Sequence, residues 1–202
     1  YGLDWDSLHA INPRLVYCSI TGFGQDGPYA ERPGYDFIVQ GMGGLMSLTG
    51  EPDGAPGGGP QKAGVAVADL FTGMYATVAV LAALTFRERS GAGQHIDLAL
   101  LDAQVAMLAN QNLNFLVSGE APRRLGNAHP NIVPYQTFAT ADGHLILAVG
   151  NDAQFRRFCE LAGQAALADD PRYASNRGRV ENRATLVPLL EPLLRGRRSG
   201  EW

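Results

Sequence analysis

The stretch VAVADLFTGMYATVAVLAALTF, residues 65–86, decides how this sequence folds. Its apolar residues recur at steps of three and four, the spacing of one face of an α-helix. Leu70, Met74, Val78 and Leu81 form that face, and Phe71, Tyr75, Ala82 and Phe86 make the neighbouring face apolar. A helix that is apolar over so much of its circumference is expected to be buried on several sides. Its charge-free run, residues 70–86, is shorter than the about 20 residues of a membrane span, so we expect a core helix.

Shorter patterns on either side of this helix predict the remaining elements. Apolar runs bounded by glycine or proline predict strands at 15–20 and 94–98, and a hairpin at 135–140 and 144–149. Helices are predicted at 35–48, 100–115, 151–161 and 176–195, the last interrupted at Pro188 and Pro192. The composition changes near residue 120, from strands with long helices to a hairpin with amphipathic helices. We therefore predict two domains, an α/β domain over 1–120 and a smaller α+β domain over 121–202.

Composition excludes several classes of function. The chain has 202 residues, of which 46% are hydrophobic and 18% charged, so general disorder is excluded. A net charge of −4 provides no basic field for nucleic acid. The two cysteines, Cys18 and Cys159, cannot build a disulfide framework and fit a reducing cytoplasm. The four histidines lack the spacing of metal ligands, so we expect no metal site.

Asp69 is the one residue whose setting points to chemistry. It is the single charged residue between Lys62 and Arg87. One interpretation is an N-cap, since aspartate at that place accepts free backbone N–H groups of the helix. The other is a carboxylate nucleophile, held ionised by the same N–H groups in apolar surroundings. Both interpretations require the same local geometry, so the spacing leaves them open.

Six motifs then show a resemblance to the class III CoA-transferase family, which also contains the α-methylacyl-CoA racemases. They are RPGYD at 32–36, VADLFTG at 67–73, RERSGAGQ at 87–94, GNAHPNIVPY at 126–135, TADG at 140–143 and VGND at 149–152. The resemblance covers nearly the whole chain and implies a partial Rossmann-like large domain followed by a smaller α+β domain. Family members are longer, so the resemblance also implies that these 202 residues are an internal piece. The chain starts at Tyr1 without methionine, which fits that expectation.

Carried onto this sequence, the family's catalytic aspartate corresponds to Asp69. The resemblance implies that its carboxylate attacks the donor acyl-CoA and forms an aspartyl–acyl anhydride. An aspartyl-CoA thioester follows, from which an acceptor carboxylate takes the CoA. Binding of the substrate and its CoA is assigned to Tyr35, Asp36, Gln40, Gly41, Gly43 and Gly44. For Asp36 two interpretations stay open, a hydrogen bond near the active carboxylate or simply the start of a helix. CoA is thus expected as a thioester substrate, with no permanently bound cofactor.

The resemblance leaves three alternatives for the function and also carries an expectation about assembly. The racemases have Gly-His-Asp where this chain has Gly34, Tyr35 and Asp36, and a glutamate near the position of Asp152. Proton exchange beside a thioester needs two opposed acid–base groups, and a tyrosine hydroxyl is a poor substitute for imidazole. A CoA-transferase is therefore favoured over a 2-methylacyl-CoA racemase. The third alternative, an inactive truncated module of the same fold, stays open. The resemblance further implies an interlocked homodimer, cytoplasmic location, and no nucleic-acid or membrane partner.

Overall fold

Two parallel strands, β1 (Val16–Thr21) and β2 (Gln94–Ala99), form one sheet of the computed structural model, which describes residues 1–202. Their register runs from Val16 opposite Gln94 to Thr21 opposite Ala99. A Cβ atom at Gly93 would collide with the main chain of Leu15, so this approach to the sheet requires glycine. Both strands were predicted to within a residue or so, and their parallel pairing confirms the α/β class.

The chain divides into two compact units, Tyr1–Arg124 and Leu125–Trp202. The predicted boundary after residue 120 lies four residues before the observed one. Helices in the first unit are α1 (Trp5–Ile11), α2 (Asp36–Met42), α3 (Val67–Ser90), α4 (Leu100–Met107) and α5 (Asn110–Ser118), with a short 3₁₀ turn at Leu45–Ser47. That the two units are the domains of a longer protein stays a prediction.

Two predicted helices of this unit are shorter than expected. The helix expected over 35–48 ends at Met42, because Gly43 follows it and Gly44 adopts a left-handed conformation with φ of 86°. The helix expected over 100–115 is divided into α4 and α5. Ala109 lies between them with φ of 49°, a conformation that alanine seldom adopts. No residue near Ala109 in the sequence indicates this break.

Helix α3 starts two residues before Asp69. Its N-cap is Ala66, whose side chain makes no capping hydrogen bond, and Asp69 is the third residue of the first turn. The interpretation of Asp69 as the N-cap is therefore wrong. The helix ends at Ser90, with Arg87 and Arg89 in its last turn and Gly91 as a left-handed C-cap.

The apolar surface of α3 is largely uncovered in residues 1–202. Only Ala68, Thr72 and Ala83 of this helix are buried, while Met74 on the predicted apolar face is 64% exposed. We expected α3 to be buried on several sides, and within residues 1–202 it is not. By length and composition α3 could cross a bilayer, a criterion that the core helix of a soluble protein also satisfies.

The second unit packs helices around an antiparallel hairpin, as predicted. Its elements are β3 (Tyr135–Ala139), β4 (His144–Ala148), α6 (Asp152–Leu161), α7 (Ala165–Asp169), α8 (Asn176–Glu181) and α9 (Arg183–Arg195). The break expected at the prolines is wrong: the helical region breaks at Asn182, and α9 continues through Pro188 and Pro192. Both prolines are exposed, while every fourth residue of the same helix (Leu186, Leu190, Leu194) is buried in the core and holds the helix in place.

Arg179 of α8 lies fully buried at the centre of the second unit. Its guanidinium donates hydrogen bonds to the carbonyl oxygens of Val133 (2.7 Å) and Tyr173 (2.9 Å) and to Oδ1 of Asp152 (2.8 Å). It also lies over the ring of Phe155, 4.5 Å from the centroid. This one cation on α8 therefore connects the segment that leads into β3 with the start of α6.

Candidate active site

Helix α2 brings two polar side chains to the start of α3. Asp36, the first residue of α2, accepts a hydrogen bond from the backbone N–H of Ala68 at 2.8 Å through Oδ1. Its other oxygen, Oδ2, accepts from Nε2 of Gln40 at 2.6 Å. Gln40 is fully buried, and its Oε1 accepts from the N–H of Ala63 at 2.8 Å. Asp36 and Gln40 therefore fix the segment that leads into α3.

Asp69 lies one residue beyond the amide that Asp36 binds. Its side chain is exposed and its carboxylate makes no hydrogen bond. In the same turn, the N–H of Val67 donates to Val65 and that of Leu70 to Ala66, whereas the N–H of Asp69 has no acceptor. The N-terminal end of a helix favours negative charge, and the carboxylate of Asp69 is accessible there with no hydrogen-bond partner.

The remaining residues predicted for the site fall into two groups. Tyr35 precedes Asp36 and is 65% exposed, so packing in the core does not account for it. Gly43 and Gly44 instead lie against α4, where a Cβ at Gly43 would collide with Gln104 and one at Gly44 would touch Leu108. Gly41 is exposed, with only the thioether of Met46 near its missing Cβ. The structure thus brings Tyr35, Asp36 and Gln40 to the Asp69 turn and gives two glycines a packing role.

A basic pair ends the first unit. Arg123 and Arg124 line a cavity of about 630 Å³ together with Ser47, Asp53 and Glu120. Arg124 is already occupied, because it donates to the carbonyl of Met46 and forms an ion pair with Asp53. Arg123 is exposed and makes no ion pair, so it is the cation of this pair that an anion can reach.

Two features of the site could not be specified from the sequence, namely the partner of Asp36 and the burial of Gln104. The hydrogen bond between the N–H of Ala68 and Asp36 joins residues 32 positions apart. The sequence around α3 hints at it only in that the N-cap residue, Ala66, has no side chain that could cap the helix. Gln104 on α4 is fully buried and neither atom of its amide has a hydrogen-bond partner. No pattern in the sequence distinguishes this glutamine from an exposed one.

Comparison with known proteins decides the family. The model of CoA-transferase family III matches residues 1–202, the whole chain. The chain belongs to this family. A succinate–glutarate CoA-transferase of Agrobacterium fabrum is 65% identical over 190 residues, and a succinyl-CoA:glutarate CoA-transferase of Mus musculus is 42% identical over 201 residues. The resemblance inferred from the six motifs is confirmed.

A solved structure agrees with the fold. A CaiB/BaiF family protein from Brucella suis, 57% identical, superimposes with a TM-score of 0.78 and is matched over 100% of this chain and 52% of its own. The Agrobacterium and mouse proteins are matched over 94% and 100% of this chain, but over 46% and 45% of their own lengths. The chain thus spans about half the length of these relatives.

Proposed function

We propose that the protein is an acyl-CoA:carboxylate CoA-transferase in which Asp69 is the nucleophile. The observation that carries this proposal is the exposed, unbonded carboxylate of Asp69 in the first turn of α3. A nucleophile must be reachable and must have free lone pairs, and this carboxylate meets both conditions. Membership of CoA-transferase family III supplies the class of reaction.

The proposed reaction balances without a further reagent. An oxygen of Asp69 attacks the thioester carbonyl of the donor, the C–S bond breaks, and a mixed anhydride and CoA thiolate form. The thiolate attacks the aspartyl carbonyl, which releases the donor acid and leaves an aspartyl-CoA thioester. The acceptor carboxylate then attacks the aspartyl carbonyl and displaces the thiolate, which gives a second anhydride between Asp69 and the acceptor. The thiolate attacks the acceptor's acyl carbon in this anhydride and yields the new acyl-CoA and free Asp69. The acyl activation is conserved throughout.

The start of α3 suits the charges that develop in these steps. Each attack produces an oxyanion, and backbone N–H groups at a helix N-terminus stabilise such charge. The N–H of Asp69 has no acceptor within the chain and is available for this purpose. We assign Tyr35 and Gly41, both exposed, to contact with the CoA moiety.

The substrates proposed for this chain are short dicarboxylic acids. The Agrobacterium relative is named for succinate and glutarate, and the mouse relative for succinyl-CoA and glutarate. A dicarboxylate monothioester keeps one free carboxylate, which a cation such as Arg123 would pair with. Succinyl-CoA and glutarate are therefore the first donor and acceptor to test.

The proposed setting is a cytoplasmic homodimer with no nucleic-acid or membrane partner. Cys18 and Cys159 are both free thiols. Burial raises the pKa of the Cys159 thiol to about 11, so this group stays protonated and unreactive near neutral pH. The uncovered apolar side of α3 leaves a surface for further segments or a second chain to cover.

Trapping the covalent intermediate tests the proposed function directly. Full-length protein incubated with succinyl-CoA alone, quenched and digested, is expected to yield a peptide with an adduct on Asp69. Hydroxylamine treatment should convert the activated carboxyl to a hydroxamate, which peptide mass spectrometry locates. An adduct on a different residue, or none, would refute Asp69 as the nucleophile.

Proton exchange at the α-carbon separates transferase from racemase. We expect negligible deuterium incorporation when the full-length protein meets a chiral 2-methylacyl-CoA in deuterated water, because no histidine stands beside Asp36. The family's other acid–base position, Asp152, is engaged by the buried Arg179 at 2.8 Å. Proton NMR measures the exchange. Rapid exchange in the absence of an acceptor acid would favour the racemase instead.

A further inference from the structure

We infer that Asp36 is a positioning residue that caps α3 from outside that helix and so keeps the Asp69 carboxylate free to attack. Gln40 holds Asp36 in the orientation that this requires. The inference rests on the proposed function, since it assigns Asp36 and Gln40 to the activation of Asp69 rather than to contact with CoA.

Helix α3 has no cap of its own. The residue at its N-cap is Ala66, and the two that follow, Val67 and Ala68, are also apolar. The first N–H groups of a helix lack intrahelical acceptors, and they need an oxygen from elsewhere. The N–H of Ala68 finds its acceptor in Asp36, at 2.8 Å.

The cap is held from both sides. One oxygen of Asp36 accepts from Ala68, and the other accepts from Nε2 of Gln40 at 2.6 Å. Gln40 cannot turn away, because it is fully buried and its Oε1 accepts from the N–H of Ala63 at 2.8 Å. The same amide nitrogen lies 3.5 Å from the carbonyl of Val65. The cap and the segment before α3 therefore form one connected network.

Helix α4 provides an internal comparison for this arrangement. It also starts after an alanine, Ala99, and Asp102 occupies the third position just as Asp69 does in α3. The second N–H of α4, that of Leu101, donates to the main-chain carbonyl of Gly22 at 3.1 Å. A backbone oxygen thus suffices to satisfy such an amide. Only at α3 is the acceptor a carboxylate held by a buried glutamine.

The consequence for Asp69 is chemical. In a capping box, the side chain at the third position of a helix folds back to bond the N–H of the N-cap residue, one of the free amides at the helix start. Lone pairs used in this way are not available for attack, and freeing them costs the energy of the hydrogen bond. With Asp36 satisfying Ala68, the carboxylate of Asp69 makes no hydrogen bond and remains exposed.

Substitution of Asp36 in the full-length protein tests the inference. Asp36→Ala is expected to slow formation of the Asp69 adduct from succinyl-CoA in a single turnover, and kcat with it, by about 30-fold to 100-fold. The KM for succinyl-CoA should change by less than about twofold, because no contact with CoA is removed. Asp4→Ala is the matched control, because Asp4 caps α1 through hydrogen bonds to Ser7 in the same unit. It should lower Tm and leave kcat unchanged.

A double substitution distinguishes positioning from general stability. In Asp36→Asn the amide nitrogen faces Nε2 of Gln40, two donors together, and we expect a loss of about tenfold in kcat. Adding Gln40→Glu supplies an acceptor for that nitrogen while keeping an oxygen for Ala63, so kcat should recover to within about threefold of wild type.

Three results would overturn the inference. They are a wild-type rate of adduct formation in Asp36→Ala, a loss expressed mainly in KM, and a double variant no faster than Asp36→Asn. If the wild-type protein itself forms no adduct on Asp69, the proposed function falls and this inference falls with it. An adduct that forms normally in both wild type and Asp36→Ala refutes the positioning role alone.

Discussion

Asp69→Ala in the full-length protein is expected to lower the turnover of CoA transfer by at least about a thousandfold, because the covalent route loses its nucleophile. Binding of the acyl-CoA should survive, since the side chain removed is not assigned to the CoA moiety. The measurements are the steady-state rate of glutaryl-CoA formation from succinyl-CoA and glutarate, and the Kd of succinyl-CoA by calorimetry. Turnover within tenfold of wild type would contradict a role for Asp69 as the nucleophile.

The chain offers an unusually close control for that substitution. Asp102 occupies the third position of α4, is exposed, and follows an alanine N-cap, as Asp69 does in α3. Asp102→Ala removes the same favourable interaction with a helix N-terminus, worth about 0.5 kcal/mol for an exposed group. It should therefore leave turnover within about twofold of wild type. Equal losses in the two variants would indicate a shared effect on folding rather than catalysis.

Arg179→Met is expected to cost the second unit about 3 kcal/mol of unfolding free energy. The substitution leaves the buried carbonyl oxygens of Val133 and Tyr173 without donors, and each such loss costs about 1–3 kcal/mol. Asp152 loses its partner as well, but it is 56% exposed and regains water. Urea unfolding of the full-length protein, followed by circular dichroism, measures the change.

Arg177→Met on the same helix is the control for Arg179. Arg177 is 88% exposed on its side chain and pairs with Glu181 one turn later. Water and salt screen an exposed pair of this kind, so it contributes little to stability and the urea midpoint should hardly move. A similar shift in both variants would contradict the assignment of Arg179 as the central cation of the second unit.

Local patterns were sufficient to predict most elements. The strands at 15–20 and 94–98 and the hairpin all depend on signals within a few residues, such as apolar runs or a turn. The helix predicted over 151–161 starts where a signal of this kind lies, for the side chain of Asn151 caps it by accepting from the N–H of Gln154. Such signals act through neighbouring residues and do not depend on the rest of the fold.

Features that depend on distant contacts were not predicted. One of the two interpretations that the sequence left open made Asp69 the cap of α3, whereas the capping oxygen comes from Asp36 in another helix. Proline was expected to end α9, but the buried leucine face of this helix keeps it continuous through both prolines. The break at Ala109 likewise overrides a continuous helical pattern. In each case tertiary packing outweighs the local preference of the residue.

The parallel pairing of β1 with β2 has a consequence for the order of events during folding. Val16 lies opposite Gln94, a sequence separation of 78 residues, whereas Thr137 and Ile146 in the hairpin are separated by 9. Closing the longer loop costs about 2 kcal/mol more chain entropy on the logarithmic scaling of loop closure. Asp36 and Asp69 both lie inside that long loop. The hydrogen bond from Ala68 to Asp36 closes a loop of intermediate length, 32 residues. We therefore expect the hairpin of the second unit to form first, this cap later, and the pairing of β1 with β2 last.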